Sequence, residues 1–310
     1  IEQGIEQAKR LPSQDISVQL LPSDQPQRTD VVLTVKRGKN FYGTISVDDS
    51  GLEDTGKLQW YTSIGIDQPF HKNDMLRIGM NLDGARDGYE KGTRGHNISY
   101  TYPYGRHTFS FSYQRSKYHQ TVESIPYNFI SAGDSNISTL SWDYVLHRSA
   151  AMKTSMDIRL RKRNSHSFLN GVELPIQAMH QTSMEVGFAE RLYLQRDTLY
   201  FRLAHRFGLG WLGAQKEKPY DDAPKTLYRM WLLDVDFVHP FEFSHRPATF
   251  TTSFHGQYTM DDMRLYGVDM ISMGNRYTVR GFDGEVTLMG TNGWYLRTEL
   301  STRFPKQKAE

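Results

Sequence analysis

Along most of this chain, apolar and polar residues alternate one by one. In KLQWYTSIGID, Leu58, Trp60, Ile64 and Ile66 share one face with Thr62, while Gln59, Tyr61, Ser63, Gly65 and Asp67 share the other. The same reading sets Leu76, Ile78, Met80 and Leu82 against Arg77, Gly79, Asn81 and Asp83. It sets Met152, Met156, Ile158 and Leu160 against Lys153, Ser155, Asp157, Arg159 and Arg161. A period of two is that of a β-strand with one apolar and one polar side. About twelve segments carry it, near 40–48, 57–67, 75–83, 96–103, 107–116, 137–147, 151–162, 182–193, 198–207, 227–238, 248–259 and 293–304. The front of the chain reads differently. Ile1, Ile5, Ala8 and Leu11 fall on one helical face with Pro12 as a stop, and DISVQLLP and TDVVLTVKR then read as two strands across the turn SDQPQR. The expected division is a helix–strand–strand segment over 1–38 and a strand array over 39–310.

The connections between the strands alternate in length. DQPFHKND, PYGRH, HRSA, LQRD and HPFEFSHRP are short, whereas the stretches around 84–95, 117–136, 163–181, 208–226 and 260–292 are long. Outer-membrane barrels sort their connections in this way, and a soluble sandwich has no reason to. A segment of about 9–11 residues also suits a tilted crossing of the bilayer core. Trp60, Trp142, Trp231 and Trp294 all fall on the apolar phase, as in a membrane-interface belt, although a Trp in a sandwich core would look the same locally. A soluble all-β protein would explain alternation alone. It would not explain charges on the opposite face of strand after strand, which suit a watery lumen. The pattern predicts an all-β, transmembrane antiparallel β-barrel.

Composition sharpens this picture at a few points. The chain has 18 Tyr, 16 Phe and 5 Trp, yet its mean hydropathy is −0.61, a combination that fits long half-polar strands. Its net charge of +2 predicts neither a nucleic-acid surface nor a polybasic anchor. The absence of cysteine excludes disulfides and thiol catalysis. No apolar run approaches the roughly 18 residues of a membrane helix, so a membrane location requires a barrel.

One motif carries a resemblance to a known family. The last long connection contains MISMGNRYTVRGFDGE, residues 270–285, and in it Val279, Arg280, Gly281 and Phe282 resemble the Val-Arg-Gly-Phe/Tyr signature of a superfamily. That superfamily includes the barrel-assembly insertase, its translocation-assembly relative and the transporters of two-partner secretion. DDSGLEDTGKLQWYTSIGIDQPFHKNDMLRIG (48–79) resembles the opening hairpin of the two-partner branch, LSWDYVLHR (140–148) its sixth strand, and WYLRTEL (294–300) its twelfth. Two departures stand out: Thr298 replaces the usual Asn, and GTNG replaces a common Gly-Asp pair. LPSQDISVQLLPSDQPQRTDVVLTV is similar to the end of a polypeptide-transport-associated (POTRA) domain.

The resemblance implies about twelve strands of an expected sixteen, with residues 1–38 as the C-terminal part of an α/β POTRA domain and the loop of about 261–290 folded into the lumen. The earlier periplasmic region and the last strands are expected to be missing. It implies a pore in the outer membrane, with its POTRA domain in the periplasm, that exports an unfolded β-helical exoprotein: an adhesin, a haemolysin or a contact-dependent toxin. Expected partners are that exoprotein and outer-membrane lipid or lipopolysaccharide, with the pore monomeric and no nucleic acid, metal or cofactor. Arg280 is the candidate for pinning the loop, and Glu299 is its expected partner, since WYLRTEL turns Tyr295, Arg297 and Glu299 inward. Ile16, Val18, Leu20, Val31 and Val32 could accept an extended client segment by strand addition, or could fill the POTRA domain's own core. No catalytic residue is expected. A barrel enzyme would need a Ser–His pair, and His96, His147, His205 and His255 are scattered over different strands. His166 and His180 lie toward opposite ends of one loop without metal-ligand spacing. An insertase that folds other barrels shares the Arg280 motif and is the alternative reading.

Overall fold

The computed structural model describes residues 2–302, apart from 26, 50, 85–90, 220–222, 245, 276, 280, 283 and 285–286. Its front consists of α1 (Glu2–Lys9), β1 (Gln14–Pro22) and β2 (Thr29–Arg37). Lys9 in the last turn of α1 complements the helix dipole, and Pro12 bars its continuation. Leu11, just after the helix, and Ile16 of β1 are both buried. In the β1–β2 register Ile16, Val18 and Leu20 oppose Val35, Leu33 and Val31, so these six positions form one apolar face. Val32 opposes Gln19 on the other face.

The array that follows comprises β3 (Phe41–Asp48), β4 (Gln59–Asp67), β5 (Met75–Asp83), β6 (Lys91–Tyr104), β7 (His107–Val122) and β8 (Phe129–Arg148). It continues with β9 (Met152–Leu169), the short β10 (Val172–Glu173), β11 (Met179–Leu194), β12 (Asp197–Leu209), β13 (Arg229–Phe243) and β14 (Arg246–Thr259). A small hairpin of β15 (Ile271–Met273) and β16 (Leu288–Gly290) precedes β17 (Gly293–Thr302). Leaving out β10, β15 and β16, twelve long strands belong to one antiparallel sheet in which neighbours follow chain order. Among the described residues no helix is long and apolar enough to cross a membrane.

The strands outrun the alternating segments at the ends that bear long connections. Residues 117–122 and 129–136, expected in a loop, belong to β7 and β8, and β9 runs on to Leu169. The turn expected over HPFEFSHRP is likewise mostly strand, since β13 extends to Phe243. The reason is solvation. Strand ends that meet water on both sides carry polar residues on both phases, as in SKYHQTV and KRNSHSF, and the period-2 signal fades there although backbone pairing continues.

Burial is inverted relative to a soluble protein. Trp294 and Leu300 are 64% and 70% exposed, whereas Asp157, Glu185 and Arg202 are only 5%, 3% and 5% exposed. Four chain positions that the alternation placed on the apolar side, Trp60, Trp231, Leu296 and Trp294, remain open to their surroundings.

The chain divides into two compact units, residues 1–142 with 165–178 and residues 143–164 with 179–310. In the first, the β4–β5 turn ties to the front segment. Arg10 Nη2 donates to the Asn73 carbonyl at 2.7 Å, Asn73 Nδ2 to the Gln7 carbonyl at 2.8 Å, and the Ser13 N–H to Asp67 Oδ2 at 2.8 Å. Asp74 closes the turn by accepting from the N–H groups of Phe70 and Lys72 and from the Tyr100 hydroxyl, at 3.2, 3.0 and 3.0 Å. Burial pushes the Asp74 carboxyl up, but these hydrogen bonds outweigh it and hold the group below the usual carboxylate range. In the second unit β11 to β14 and β17 form an antiparallel meander, and its polar face carries the candidate site.

Candidate functional site

Residues 260–292 leave the end of β14 and return as β17. Their base is fastened to the polar face of the second unit by Asp269. Its carboxylate accepts from Gln181 Nε2 of β11 at 2.7 Å and from the Tyr228 hydroxyl at 3.1 Å. Gln257 Nε2 of β14 donates to the Asp269 carbonyl at 2.9 Å and to the Thr291 carbonyl at 3.0 Å. Thr259 Oγ1 donates to the Thr291 carbonyl at 2.8 Å. The two bonds to the Asp269 carboxylate are buried, and hydrogen bonds to a charged acceptor contribute about 1.5–3 kcal/mol each. Burial, with the facing Asp269 carboxylate, pushes the Tyr228 phenol up, so it stays a donor.

Beside this polar clasp, Leu265 of the loop closes over Ala204, Tyr228, Met230 and Leu232, with Met263 and Met270 packed around them. Ala204, Met230 and Leu232 are apolar residues on the otherwise polar phase of β12 and β13. They give the loop a small dry seat.

From this base β15 and β16 pair with Ile271 opposite Gly290 and Met273 opposite Leu288, and the hairpin they open is here termed the finger. The finger begins with a self-bonded turn. Thr278 Oγ1 accepts from the N–H groups of Gly274 and Asn275 at 3.1 and 3.3 Å, and Asn275 Oδ1 accepts from those of Tyr277 and Thr278 at 2.9 and 3.2 Å. Gly274 has φ 107°, which a side chain would strain. Arg297 of β17 holds the turn to the wall by donating from Nη1 to the Tyr277 carbonyl at 3.1 Å. A polar cavity of about 350 Å³ lies here, lined by Tyr200, Arg202, Asp234, His255, Tyr277 and Arg297 among others.

Of the motif positions, Val279 and Phe282 are exposed and Gly281 borders open space. Arg280 lies outside the described residues, and so does its expected contact with Glu299. Glu299 is on the same side of β17 as Arg297, with Arg297 Nε at 3.4 Å from its Oε1. Of the client-binding candidates, Ile16 is buried in the front segment, while Leu20, Val31 and Val32 are exposed.

The wall beneath the finger holds a charge network that reading for single motifs misses. Arg202 of β12 donates from Nε and Nη2 to Asp157 of β9 at 2.9 and 2.6 Å, and from Nη2 to Glu185 of β11 at 2.5 Å. Arg206 Nε reaches the other oxygen of Glu185 at 2.7 Å, and Arg159 Nη1 stands 3.4 Å from Glu185. A Cβ on Gly187 would come within 2.7 Å of both Arg202 and Asp157, so glycine makes room for the pair. The signal was present in the register: Glu185 directly opposes Arg206, and Arg202 opposes Asp234, on the polar phase. Asp269 had no such signal, because it sits in a loop.

The 260–292 loop is thus clasped to the polar face of the second unit at its base and held to β17 at Tyr277. The family model for haemolysin secretion/activation proteins ShlB/FhaC/HecB matches residues 27–310. The chain belongs to this family. A POTRA domain model matches residues 1–22. The chain is 38% identical to the outer membrane transporter CdiB-2 of Burkholderia pseudomallei, over 97% of this chain and 51% of that protein. It is 26% identical to the hemolysin transporter protein HpmB of Proteus mirabilis, over 97% and 53%. The solved structure of CdiB from Escherichia coli matches with a TM-score of 0.90 at 27% identity, covering 96% of this chain and 55% of that one. This chain thus spans about half the length of the relatives it matches. Its fold is that of the ShlB/FhaC/HecB barrels, entered from a POTRA segment. Its place is the outer membrane, with the POTRA segment on the periplasmic side.

Proposed function

We propose that this chain forms much of a pore wall through which a large β-helical exoprotein, an adhesin, haemolysin or contact-dependent toxin, passes from periplasm to cell surface. The observation that carries the reading is the 260–292 loop, fastened to the polar face at Asp269 and by Arg297 in a chain that the family model matches from residue 27 onward. A tethered segment on a polar wall occludes a passage and can be moved aside without loss of the wall. In this reading the protein works as a monomeric conduit, without catalysis or nucleotide hydrolysis, and outer-leaflet lipid surrounds it. Residues 1–38 close the periplasmic domain and 39–310 supply the barrel strands. Leu20, Val31 and Val32 are among the apolar positions of the front hairpin that remain open to a client strand.

Within the finger, Arg280 pairs with Glu299. The Arg297–Tyr277 bond supports this, because it brings the chain three residues before Arg280 against the strand that bears Glu299. The test is a deletion strain complemented with the full-length gene, its R280E and E299R variants, or the charge-swapped pair. One exoprotein should vanish from the surface on deletion, and the swapped pair should export better than either single variant. Loss of many outer-membrane proteins at once would instead indicate an assembly factor, and a swapped pair no better than the singles would reject the pairing.

A further inference from the structure

The apolar side of the first unit changes character along its strands. Register rows run Phe41–Ile66–Leu76–Tyr100–Phe111, then Gly43–Ile64–Ile78–Ile98–Tyr113, then Ile45–Thr62–Met80–His96–Arg115, then Val47–Trp60–Leu82–Arg94–Lys117. On β3 to β5 this side is apolar almost throughout, whereas on β6 and β7 it becomes cationic after Ile98 and Tyr113. The next pair outward is Gly92 with His119. Arg94 and Lys117 are direct cross-strand neighbours of like charge, an arrangement that is unfavourable unless an anion lies between or over them. Among the described residues two carboxylates stand near: Asp83 of β5, and Asp134 of β8, which reaches Arg115 at 2.7 Å and Lys117 at 2.9 Å. Arg94 is exposed and has no carboxylate partner among the described residues.

The height of this patch follows from the strands. Lys117 lies about ten residues along β7 from its start at His107; at roughly 3.3 Å per residue and a tilt near 45° this is about 24 Å along the membrane normal. The outward apolar band of a barrel is about 25 Å tall. The cations therefore stand at the outer rim of the band, above Phe109, Phe111 and Tyr113. Next to them is a groove of about 950 Å³, lined by Leu82, Arg94, Lys117, His119, Ile130 and Phe168 among others. Apolar walls below and cations at the rim are complementary to a lipid with several acyl chains and a strongly anionic head.

We propose that this groove binds a bisphosphorylated, multiply acylated glycolipid of the outer leaflet, the lipid A portion of lipopolysaccharide. Its phosphates sit between Arg94, Arg115 and Lys117, and its acyl chains lie along Leu82, Ile130 and Phe168. This rests on the outer-membrane reading, with the long-loop ends facing outward, and it deepens the lipid contact of that reading.

The test uses the full-length protein purified in mild detergent, with lipid binding followed by native mass spectrometry. Wild type should retain bisphosphorylated lipid A about tenfold or more better than its dephosphorylated form, since basic side chains attract anionic lipid headgroups. The R94Q/K117Q pair should lose about tenfold or more of that retention. I130W, which narrows the groove where the acyl chains would lie and leaves every cation, should also lose it. Heat-modifiable mobility of each variant reports whether the barrel has folded. Equal retention of phosphorylated and dephosphorylated lipid A, equal retention of phosphatidylglycerol, displacement by inorganic phosphate alone, or folded variants that bind as wild type would each overturn the site. If R94Q/K117Q does not fold, I130W and the dephosphorylated lipid decide. The outward-facing reading is checked separately, by labelling a cysteine at Tyr127 on intact cells with an impermeant maleimide. No labelling there would refute the orientation, and with it the site.

Discussion

Replacing Arg202 with methionine removes one guanidinium and leaves two buried carboxylates behind. Arg202 supplies both of the close bonds to Asp157 and one to Glu185. Glu185 keeps Arg206 at 2.7 Å, whereas Asp157 is left with Arg159, whose Nε is 3.6 Å away. Breaking a buried pair from one side costs about 3–5 kcal/mol. With Glu185 still paired and Arg159 nearby, the lower end applies, about 3 kcal/mol. At an m-value of roughly 2–3 kcal/mol/M this moves the urea midpoint down by about 1–1.5 M. The assay is urea unfolding of the full-length protein in lipid vesicles, read by tryptophan fluorescence and by heat-modifiable mobility. D157N alone should also destabilise, and D157N with R202M should cost less than the sum of the two, because the second change removes the charge that the first left unpaired. An R202M midpoint within about 0.2 M of wild type, or strict additivity of the pair, would show that the network is solvated rather than buried and coupled.

Three further expectations follow from the same geometry. G187A should lower stability by about 1–3 kcal/mol in the same unfolding experiment, since its methyl displaces Arg202 from Asp157; a neutral result would mean that the pair moves aside freely. The Asp74 carboxylate has a lowered folded value, so its contribution is complete above its unfolded value of about 3.9 and is lost as pH falls through the folded value. D74N should therefore be less stable than wild type at pH 7 and converge with it in acid, which unfolding midpoints against pH would show; parallel curves would refute the assignment. R297A frees the Tyr277 carbonyl and should increase the frequency of channel openings of the full-length protein in planar bilayers, and an unchanged record would separate this bond from gating.

Much of the strand array could be read from the residues because its cause is local. An alternation such as Leu76, Ile78, Met80 and Leu82 against Arg77, Gly79, Asn81 and Asp83 is written wherever a strand separates lipid from water. Where both sides meet water that contrast disappears, and so alternation alone does not mark the ends of β7, β8 and β9 beside the long connections. The phasing of β17, with Trp294 and Leu296 outward and Arg297 inward, carried directly into the structure. The anchoring of the loop did not, because it depends on contacts across large separations: Asp269 meets Gln181, and Leu265 meets Ala204. No spacing rule connects such positions. A trace remained in Ala204, Met230 and Leu232, which interrupt the polar phase where the loop covers it.

The 260–292 segment is secured twice, by unlike means. Near β14 it is held by several buried bonds together with a dry contact through Leu265; farther along, among the described residues, the half-buried Arg297 guanidinium grips the Tyr277 carbonyl. Strain applied along the passage would part the weaker fastening first and leave the stronger intact. If the chain lines an export pore as proposed, the segment would then swing on its own root and return to the same berth once the passenger has gone.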